Sequence, residues 1–555
     1  MSSLVSPATG TSGGILDRSR TVAGPGFNRW LVPPAALAIH LCIGMAYALS
    51  VFWKPLAKVI PNAPASCKSI GFIEMLTTTT CNWPDSQTVI TFELGIVFLG
   101  LSAALFGGWL ERVGPRKAAA VAALCWGGGF LISAVAVHIH QLWLLYIGLG
   151  LIGGIGLGLG YISPVSTLIK WFPDRRGMAT GMAIMGFGGG AMIGAPLANL
   201  LMAGGPIVPG WEVPGFKTAT DPGVMQTFIV LGVLYLVIML IGAFSYRVPP
   251  ENWVPEGWVS PAKTHKFISS GDVDLKDAHK TLSFWMIWGV LFLNVTAGIA
   301  VLSIASPMLQ TIFGGSLIGL AKGVTPDAKQ AAAIAAVAAG FVGLLSLFNI
   351  GGRFFWASLS DKIGRKATYF TFFVLGMILY GATPTLADAG NKALFVGALC
   401  IILSMYGGGF ATVPAYLADI FGTKFVGAIH GRLLTAWSAA GIVGSEVIVR
   451  VRDQQIAAGV PKTQVYDAVL YIMVGILALG FLCNLLVRPV DPKWLMKNVS
   501  DSGTSSSAQV AEQTSAQGIG KGGLNGAAII PWLIVAIPVA WGLYKALLSA
   551  AKILS

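Results

Sequence analysis

Thirteen long apolar runs constrain this chain more than any other feature of its sequence. The first twelve each hold about 20 residues or more, which is the length of an α-helix that crosses a bilayer. With 55% hydrophobic and only 11% charged residues, the 555-residue chain has too few polar side chains to cover a water-soluble globule. The sequence therefore predicts an all-α membrane protein. We predict segments at 30–53, 87–110, 118–137, 142–169, 177–202, 226–246, 284–312, 332–358, 367–387, 392–418, 426–449 and 465–488.

A charged motif occurs twice and divides the twelve segments into two sets of six. It follows the second segment at Gly107 to Lys117 and the eighth segment at Ala357 to Lys366. An internal repeat of this kind is typical of transporters built from two bundles around a central site. We predict an N-terminal tail, a first bundle, a polar linker, a second bundle, a flexible tether and an added helix, at 1–29, 30–246, 247–282, 283–488, 489–526 and 527–555.

The thirteenth run extends from Ala527 to Tyr544, and Lys545 follows it. It predicts an additional transmembrane helix, with a helix lying in the membrane interface as the alternative, because the run is short and contains Pro531 and Pro538.

Basic residues are concentrated in the loops after segments two, four, eight and ten. The positive-inside rule places these loops and the N-terminus in the cytoplasm, which for a bacterium means an inner (plasma) membrane protein. Much of the Lys and Arg behind the charge of +13 lies in loops that flank apolar segments, so we predict no nucleic-acid partner. The basic loop residues are Arg112, Arg116, Lys117, Lys170, Arg175, Arg176, Lys362, Arg365, Lys366, Lys424 and Arg432.

Cys67 and Cys81 share a loop on the predicted outer side, where a disulfide and two free thiols are both open alternatives. The sequence has no zinc-ligand spacing, P-loop or nucleophile–base pair, so we expect no metal, no cofactor and no enzymatic activity. The glycine-rich strings in segments four and five have no preceding strand and indicate close helix packing.

Arg353 is the ionisable residue whose predicted position inside the membrane most requires an explanation, because a charged side chain is costly there. It precedes Asp361 by eight residues, hence lies about 12 Å inside segment eight. A guanidinium stays charged and binds a carboxylate through two parallel hydrogen bonds, so an anionic substrate is its natural partner. Asn349, four residues earlier, shares its helix face. The alternative is that Arg353 extends to the membrane surface or pairs with a helix C-terminus.

Aromatic residues near mid-helix could wall a small cavity around this arginine, although each one alone could also be a core or lipid-facing residue. They are Tyr47, Tyr161, Tyr406, Phe410 and Trp437. His40, Glu93 and Glu446 are candidates for coupling transport to protons. The alternatives are a histidine that bonds neighbouring helices and two glutamates at the membrane interface.

The repeated motif resembles the signature of the major facilitator superfamily. Within the region 30–488, the strings 171–181, 186–190, 430–437 and 487–494 look like those of the oxalate/formate antiporter family. The resemblance implies two six-helix bundles that carry small carboxylates by alternating access, with a helix-eight arginine that matches Arg353. The helix-eleven lysine of the oxalate exchanger is absent, since Trp437 and Ser438 occupy that region, which favours a monocarboxylate.

Animal monocarboxylate carriers also look similar, but their helix-eight aspartate and helix-one lysine correspond to Asn349 and, approximately, Tyr47. The usual acid for proton coupling is therefore missing, and antiport and proton symport both remain open.

We predict a secondary transporter of small organic anions, namely monocarboxylates such as formate, lactate or pyruvate, with oxalate as a further candidate. We expect the functional unit in the lipid bilayer to be a monomer. A nitrate or nitrite porter and a transporter-like sensor are the alternatives. The motif residues would bias the inward and outward states by breaking and remaking contacts between the bundles. These hinge residues are Gly107, Glu111, Arg112, Arg116, Asp361, Lys362 and Arg365.

Overall fold

The computed structural model describes residues 14–554 except 62, 65–66, 68–69, 252, 257, 259–266, 321–324, 462–463, 497–517 and 521–525. Within these residues, thirteen helices are long and apolar enough to cross a membrane. They are α1 Arg29–Leu56, α2 Asp85–Val113, α3 Pro115–His138, α4 Leu142–Trp171, α5 Arg176–Ala203, α6 Val224–Ser245, α7 Leu282–Phe313, α8 Ala328–Ile363, α9 Arg365–Asp388, α10 Lys392–Phe421, α11 Val426–Ala457, α12 Asp467–Leu486 and α13 Gly526–Leu554.

Three of these helices are irregular. The middle of α1 is a 3-10 helix at Gly44–Phe52, the start of α4 contains a π-helical stretch at Tyr146–Ile152, and α11 is interrupted between Val426–Leu433 and Thr435–Ala457. A hairpin of β1, Gly205–Val208, and β2, Trp211–Val213, joins α5 to α6. Short helices lie at Arg18–Thr21, Phe72–Met75, Leu275–Ala278, Gly314–Ile318 and Pro492–Trp494.

The repeated motif makes the same turn in both halves. Gly114 ends α2 with a φ of 88°, and Gly364 ends α8 with the same φ. Only glycine adopts this conformation at little cost, so α3 and α9 can each begin at the next residue. The two motif glycines therefore place the preceding acids, Glu111 and Asp361, at equivalent helix ends.

The first six helices and the next six form two halves that meet along two interfaces. In one interface α5 packs along α8, and in the other α2 packs along α11. The loops rich in Lys and Arg lie at one end of both halves, which we call the basic face. The disulfide between Cys67 and Cys81 and the β1–β2 hairpin belong to loops at the other end, the opposite face.

The added helix α13 packs along α8, α5 and α1 and therefore contacts both halves. At the basic face the Trp532 indole donates to the Trp30 carbonyl at 3.2 Å. At the opposite face the Trp541 indole and Lys545 ammonium each donate at 2.9 Å, to the carbonyls of Ile207 and Pro206. Because its two ends bind opposite faces, α13 runs across the bundle.

A short piece of the predicted tether is docked at the basic face. Ile519 is buried, its carbonyl accepts from the Trp253 indole at 3.1 Å, and the Gly520 N–H donates to the Phe27 carbonyl at 2.6 Å. The linker and the tether therefore meet beneath the first half, while residues 497–517 and 521–525 of the tether lie outside the described residues.

Candidate functional site

Arg353 lies inside the protein between the two halves. Its side chain is fully buried, so it does not extend to the surface. Nε donates to Oδ1 of Asn349 at 2.9 Å, and Nη1 donates to the carbonyl of Ile184 on α5 at 3.2 Å. Nη2 has no hydrogen-bond partner among the described residues. The guanidinium is thus fixed in orientation while keeping N–H donors for a further acceptor.

An aromatic cage surrounds this region and contains one ring that sequence analysis missed. Phe187 of α5 contacts Tyr47 at 4.9 Å, Tyr161 at 5.5 Å and Trp437 at 5.3 Å between ring centroids. Phe410 contacts Trp437 at 4.6 Å and lies 5.5 Å from Cζ of Arg353. The cage consists of Tyr47, Tyr161, Phe187, Tyr406, Phe410 and Trp437.

The cage is formed by both halves. Tyr47 of α1 and Tyr406 of α10 approach with their hydroxyl oxygens 3.5 Å apart. Tyr161 of α4 and Trp437 of α11 stack edge to face at 5.5 Å. All five aromatic residues selected from the sequence therefore belong to one cluster with Arg353, although they come from four different helices.

Several buried polar atoms at the cage have no partner among the described residues. They include the Tyr161 hydroxyl, the Trp437 indole nitrogen and both ring nitrogens of His430, whose ring lies 5.8 Å from that of Tyr161. Sequence analysis did not select His430. Buried polar atoms without a partner are rare in folded proteins, so this group of atoms indicates a place for a polar ligand. No acidic side chain forms an ion pair with Arg353 in the described part of the chain.

The three coupling candidates occupy different surroundings. His40 is buried, with Nδ1 2.7 Å from the Ala183 carbonyl and Nε2 3.2 Å from the Tyr161 carbonyl. Glu446 is exposed and pairs with Arg450 at 2.9 Å. Glu93 is also exposed, on α2. Among the three, His40 alone is hydrogen-bonded to two other helices of the cage, α4 and α5.

At the basic face, Asp361 and Asp419 join the second half to α5. The Asp361 carboxylate accepts from the backbone N–H groups of Gly177 and Met178 at 2.8 and 2.9 Å, at the positive N-terminal end of α5. Asp419 pairs with Arg176 of α5 at 2.9 Å and with Arg365 of its own half at 3.2 Å. Arg365 also pairs with Asp361 at 2.6 Å, so the four charges form one network.

The first copy of the motif makes a similar but less charged contact. Glu111 accepts from Ser166 at 3.1 Å and Lys170 at 2.6 Å, and Gly427 at the start of α11 packs against its carboxylate. Gly107 packs closely against Ala428 of α11, where a methyl group would not fit.

Three of the predicted hinge residues make no such contact between the halves. Arg112 and Lys362 are exposed. Arg116 donates at 3.1 and 3.2 Å to the carbonyls of Ile15 and Tyr246, which lie on its own side of the molecule. Within the motif, the contacts across the interface come instead from Glu111, Asp361 and Gly107.

The sequence profile of the Major Facilitator Superfamily matches residues 72–445, which is more than half of the chain. The chain belongs to the major facilitator superfamily. This result confirms the resemblance inferred from the repeated motif. Among solved superfamily structures, that of the FucP transporter in its outward conformation covers 83% of this chain with a TM-score of 0.53 and 14% identity, and all of that chain is covered.

Two curated relatives extend the comparison. The oxalate:formate antiporter of Oxalobacter formigenes is 27% identical over 444 residues, which is 79% of this chain and 86% of the relative. The apicoplast pyruvate carrier 1 of Toxoplasma gondii is 25% identical over 397 residues, which is 64% of this chain and 68% of the relative. Both relatives are transporters.

Proposed function

We propose that this protein is a secondary carrier that moves a small monocarboxylate through the aromatic cage by alternating access. The observation that carries this proposal is the buried Arg353, whose Nη2 has no partner among the described residues. A carboxylate bound to Nη2 would satisfy its N–H groups and neutralise its charge in a region of low dielectric constant.

The charge of the site supports one carboxylate rather than two. Arg353 is the cation at the cage, and no acid is paired with it among the described residues. A monoanion balances this single charge, whereas the second carboxylate of oxalate would be buried without a counter-ion. The apolar rings would accept the short carbon chain of lactate or pyruvate and keep water away from the ion pair.

The interfaces between the halves supply a route for alternating access. The network of Asp361, Asp419, Arg176 and Arg365 holds the halves together at the basic face. Rocking the halves apart at this face would break the contacts of Asp361 and Asp419 with α5 and would expose the cage there. With the basic loops cytoplasmic, as we propose from their charge, this movement releases the substrate to or takes it from the cytoplasm.

Counterflow in proteoliposomes tests the proposal directly. Vesicles loaded with unlabelled formate, lactate or oxalate are assayed for uptake of each labelled anion without a pH gradient. We expect acceleration by the monocarboxylates, and loss of it in Arg353→Gln, because the amide carries no charge. Arg353→Lys keeps the charge but not the planar pair of donors, so we expect at least a roughly tenfold higher half-saturation concentration.

Arg452→Gln is the matched control, because it removes one cation of α11 that pairs with the exposed Asp453 instead of lying at the cage. It should retain wild-type half-saturation. Wild-type affinity in both Arg353 variants would refute the site, and acceleration by oxalate alone would refute the monocarboxylate. Absence of uptake of any anion would favour a sensor, and competition by nitrate alone would favour a nitrate porter.

A further inference from the structure

His40 and Arg353 bind to consecutive carbonyl groups of α5. Nδ1 of His40 lies 2.7 Å from the carbonyl of Ala183, and Nη1 of Arg353 donates at 3.2 Å to the carbonyl of the next residue, Ile184. Both side chains are fully buried. A short stretch of α5 therefore links the substrate-binding cation to a group that can gain a proton.

The surroundings of His40 contain two hydrogen-bond acceptors. Besides Ala183, the carbonyl of Tyr161 on α4 lies 3.2 Å from Nε2. A carbonyl oxygen only accepts, and a neutral imidazole carries a single N–H, so a neutral His40 satisfies one of these carbonyls. An imidazolium carries two N–H groups and satisfies both. The geometry is thus prepared for the protonated form of His40.

Burial and the charge on Arg353 both oppose that form while no anion is bound. With no anion bound, a protonated His40 places two positive charges on neighbouring carbonyl groups inside the protein, where their repulsion is strong. A carboxylate on Arg353 neutralises one of the two charges and removes most of this repulsion. Anion binding and protonation of His40 therefore favour each other, which is the reciprocal coupling that a symporter requires.

The other groups around His40 supply no negative charge that could replace the anion. Tyr161 is the titratable group of α4 that faces it, and Arg353 and His430 face it from the second half. On its own helix lie Cys42 and Tyr47. Within the membrane, α5 has no ionisable side chain after Arg176, α6 has only Tyr235, and the ionisable groups of α13 are Tyr544, Lys545 and Lys552.

We propose that His40 is the proton site of this carrier and takes up one proton for each carboxylate that binds to Arg353. The inference rests on the proposed function, since it needs an anion at Arg353. The empty carrier then holds one positive charge, on Arg353. The loaded carrier holds two positive charges and one negative charge, so both forms cross the membrane with the same net charge. Transport is a symport of one proton with one monocarboxylate and moves no net charge.

Proteoliposomes distinguish this coupling from binding itself. Uptake of labelled lactate is driven by an alkaline interior, and counterflow is measured separately without a gradient. With an alkaline interior, we expect wild-type vesicles to accumulate labelled lactate at equilibrium about tenfold per unit of pH gradient. His40→Asn and His40→Gln each keep one donor near the position of a ring nitrogen. They should lose this response, while counterflow falls much less because it needs only the loaded carrier.

His140→Asn is the matched control. His140 is also buried and also bonds a backbone carbonyl, that of Cys81, at 2.8 Å, but it lies at the opposite face. Burial lowers the pKa of His140, which lies in the loop between α3 and α4. The control variant should keep both counterflow and the response to the gradient.

The outcomes separate the two proposals. No counterflow in the wild type overturns the proposed function. Counterflow with no response to the pH gradient leaves the site in place and overturns the role of His40. Loss of the response in His430→Gln, with a normal response in both His40 variants, also overturns it. As a second measurement, lactate is added to purified protein in weakly buffered detergent. The wild-type protein should take up about one proton per anion bound, and the His40→Asn variant should take up none.

Discussion

Trp437 and Trp126 are both fully buried, but only the indole of Trp126 has a hydrogen-bond partner among the described residues. Trp126 donates to the carbonyl of Cys42 at 3.0 Å, within the first half. Trp437 belongs to the cage, and its Nε1 has no partner. The two residues therefore allow an indole that is bonded within the fold to be compared with one that we propose binds the substrate.

We expect Trp437→Phe to raise the half-saturation concentration for the anion about tenfold, because a hydrogen bond to a charged group contributes roughly 1.5 kcal/mol. Its melting temperature should stay close to that of the wild type. Trp126→Phe should lower the melting temperature and leave the half-saturation concentration unchanged, since it loses a hydrogen bond inside the fold. Counterflow kinetics and thermal unfolding in detergent measure both effects. Equal affinity in the two variants would exclude Trp437 from the site.

Phe187 and His430 show where reasoning from single residues was insufficient. Phe187 lies between Gly186 and Gly188, and the glycine-rich string was interpreted only as a helix contact. That interpretation was incomplete, because Gly186 packs against His40 and Gly188 against Arg353. The single large side chain in a string of glycines was the available signal. For His430 the adjacent glycine and arginine gave no comparable signal.

At the scale of helices, the two copies of the motif make related contacts with different strength. Asp361 accepts two backbone N–H groups at the start of α5 and belongs to a network with Asp419. Glu111 instead pairs with Lys170 of its own half. The contacts of α5 with α8 and α10 therefore carry the larger share of the ionic contacts between the halves at the basic face.

Asp419→Asn should favour opening of the basic face, because it removes the carboxylate that pairs with Arg176 across the interface. The lost ion pair contributes about 0.7 kcal/mol to the contact between the halves. We therefore expect alkylation of a single cysteine introduced at Ser166, which contacts Glu111, to become roughly threefold faster. This cysteine is introduced into a variant in which the four free cysteines of the described residues are replaced. Asp491→Asn, which breaks an exposed pair with Lys493, is the control. Equal labelling rates in the two variants would contradict this prediction.

At the scale of the whole molecule, α13 lies beside the interface at which the halves must separate. Gly542 packs tightly against Met192 and Ile193 of α5, and the backbone at Ala546 lies near Gly343 of α8. One face of α13 thus contacts both halves at the same depth, while its other face carries exposed aliphatic side chains such as Ile534 and Ile537.

A variant that ends before Gly526 should still insert its twelve helices but should melt about 5 °C or more below the full chain. The loss includes the bonds from Trp532, Trp541 and Lys545, each contributing about 1 kcal/mol, and the packing along the interface. Thermal unfolding in the same detergent measures the difference. Trp541→Phe with Lys545→Gln should produce part of it, and an unchanged melting temperature in both variants would show that α13 is not part of the folded unit.

The sequence by itself determined the helical membrane fold, the two halves and the added helix. Each membrane helix must satisfy its own backbone hydrogen bonds in lipid, so length and hydropathy along the chain carry that information. The tertiary structure decided which side chains meet. Arg353, Tyr47, Tyr161 and Trp437 lie far apart in the chain and join only where helices of both halves pack. The bonds from His40 to two carbonyls also require three helices in contact, and no local pattern of residues specifies such a contact.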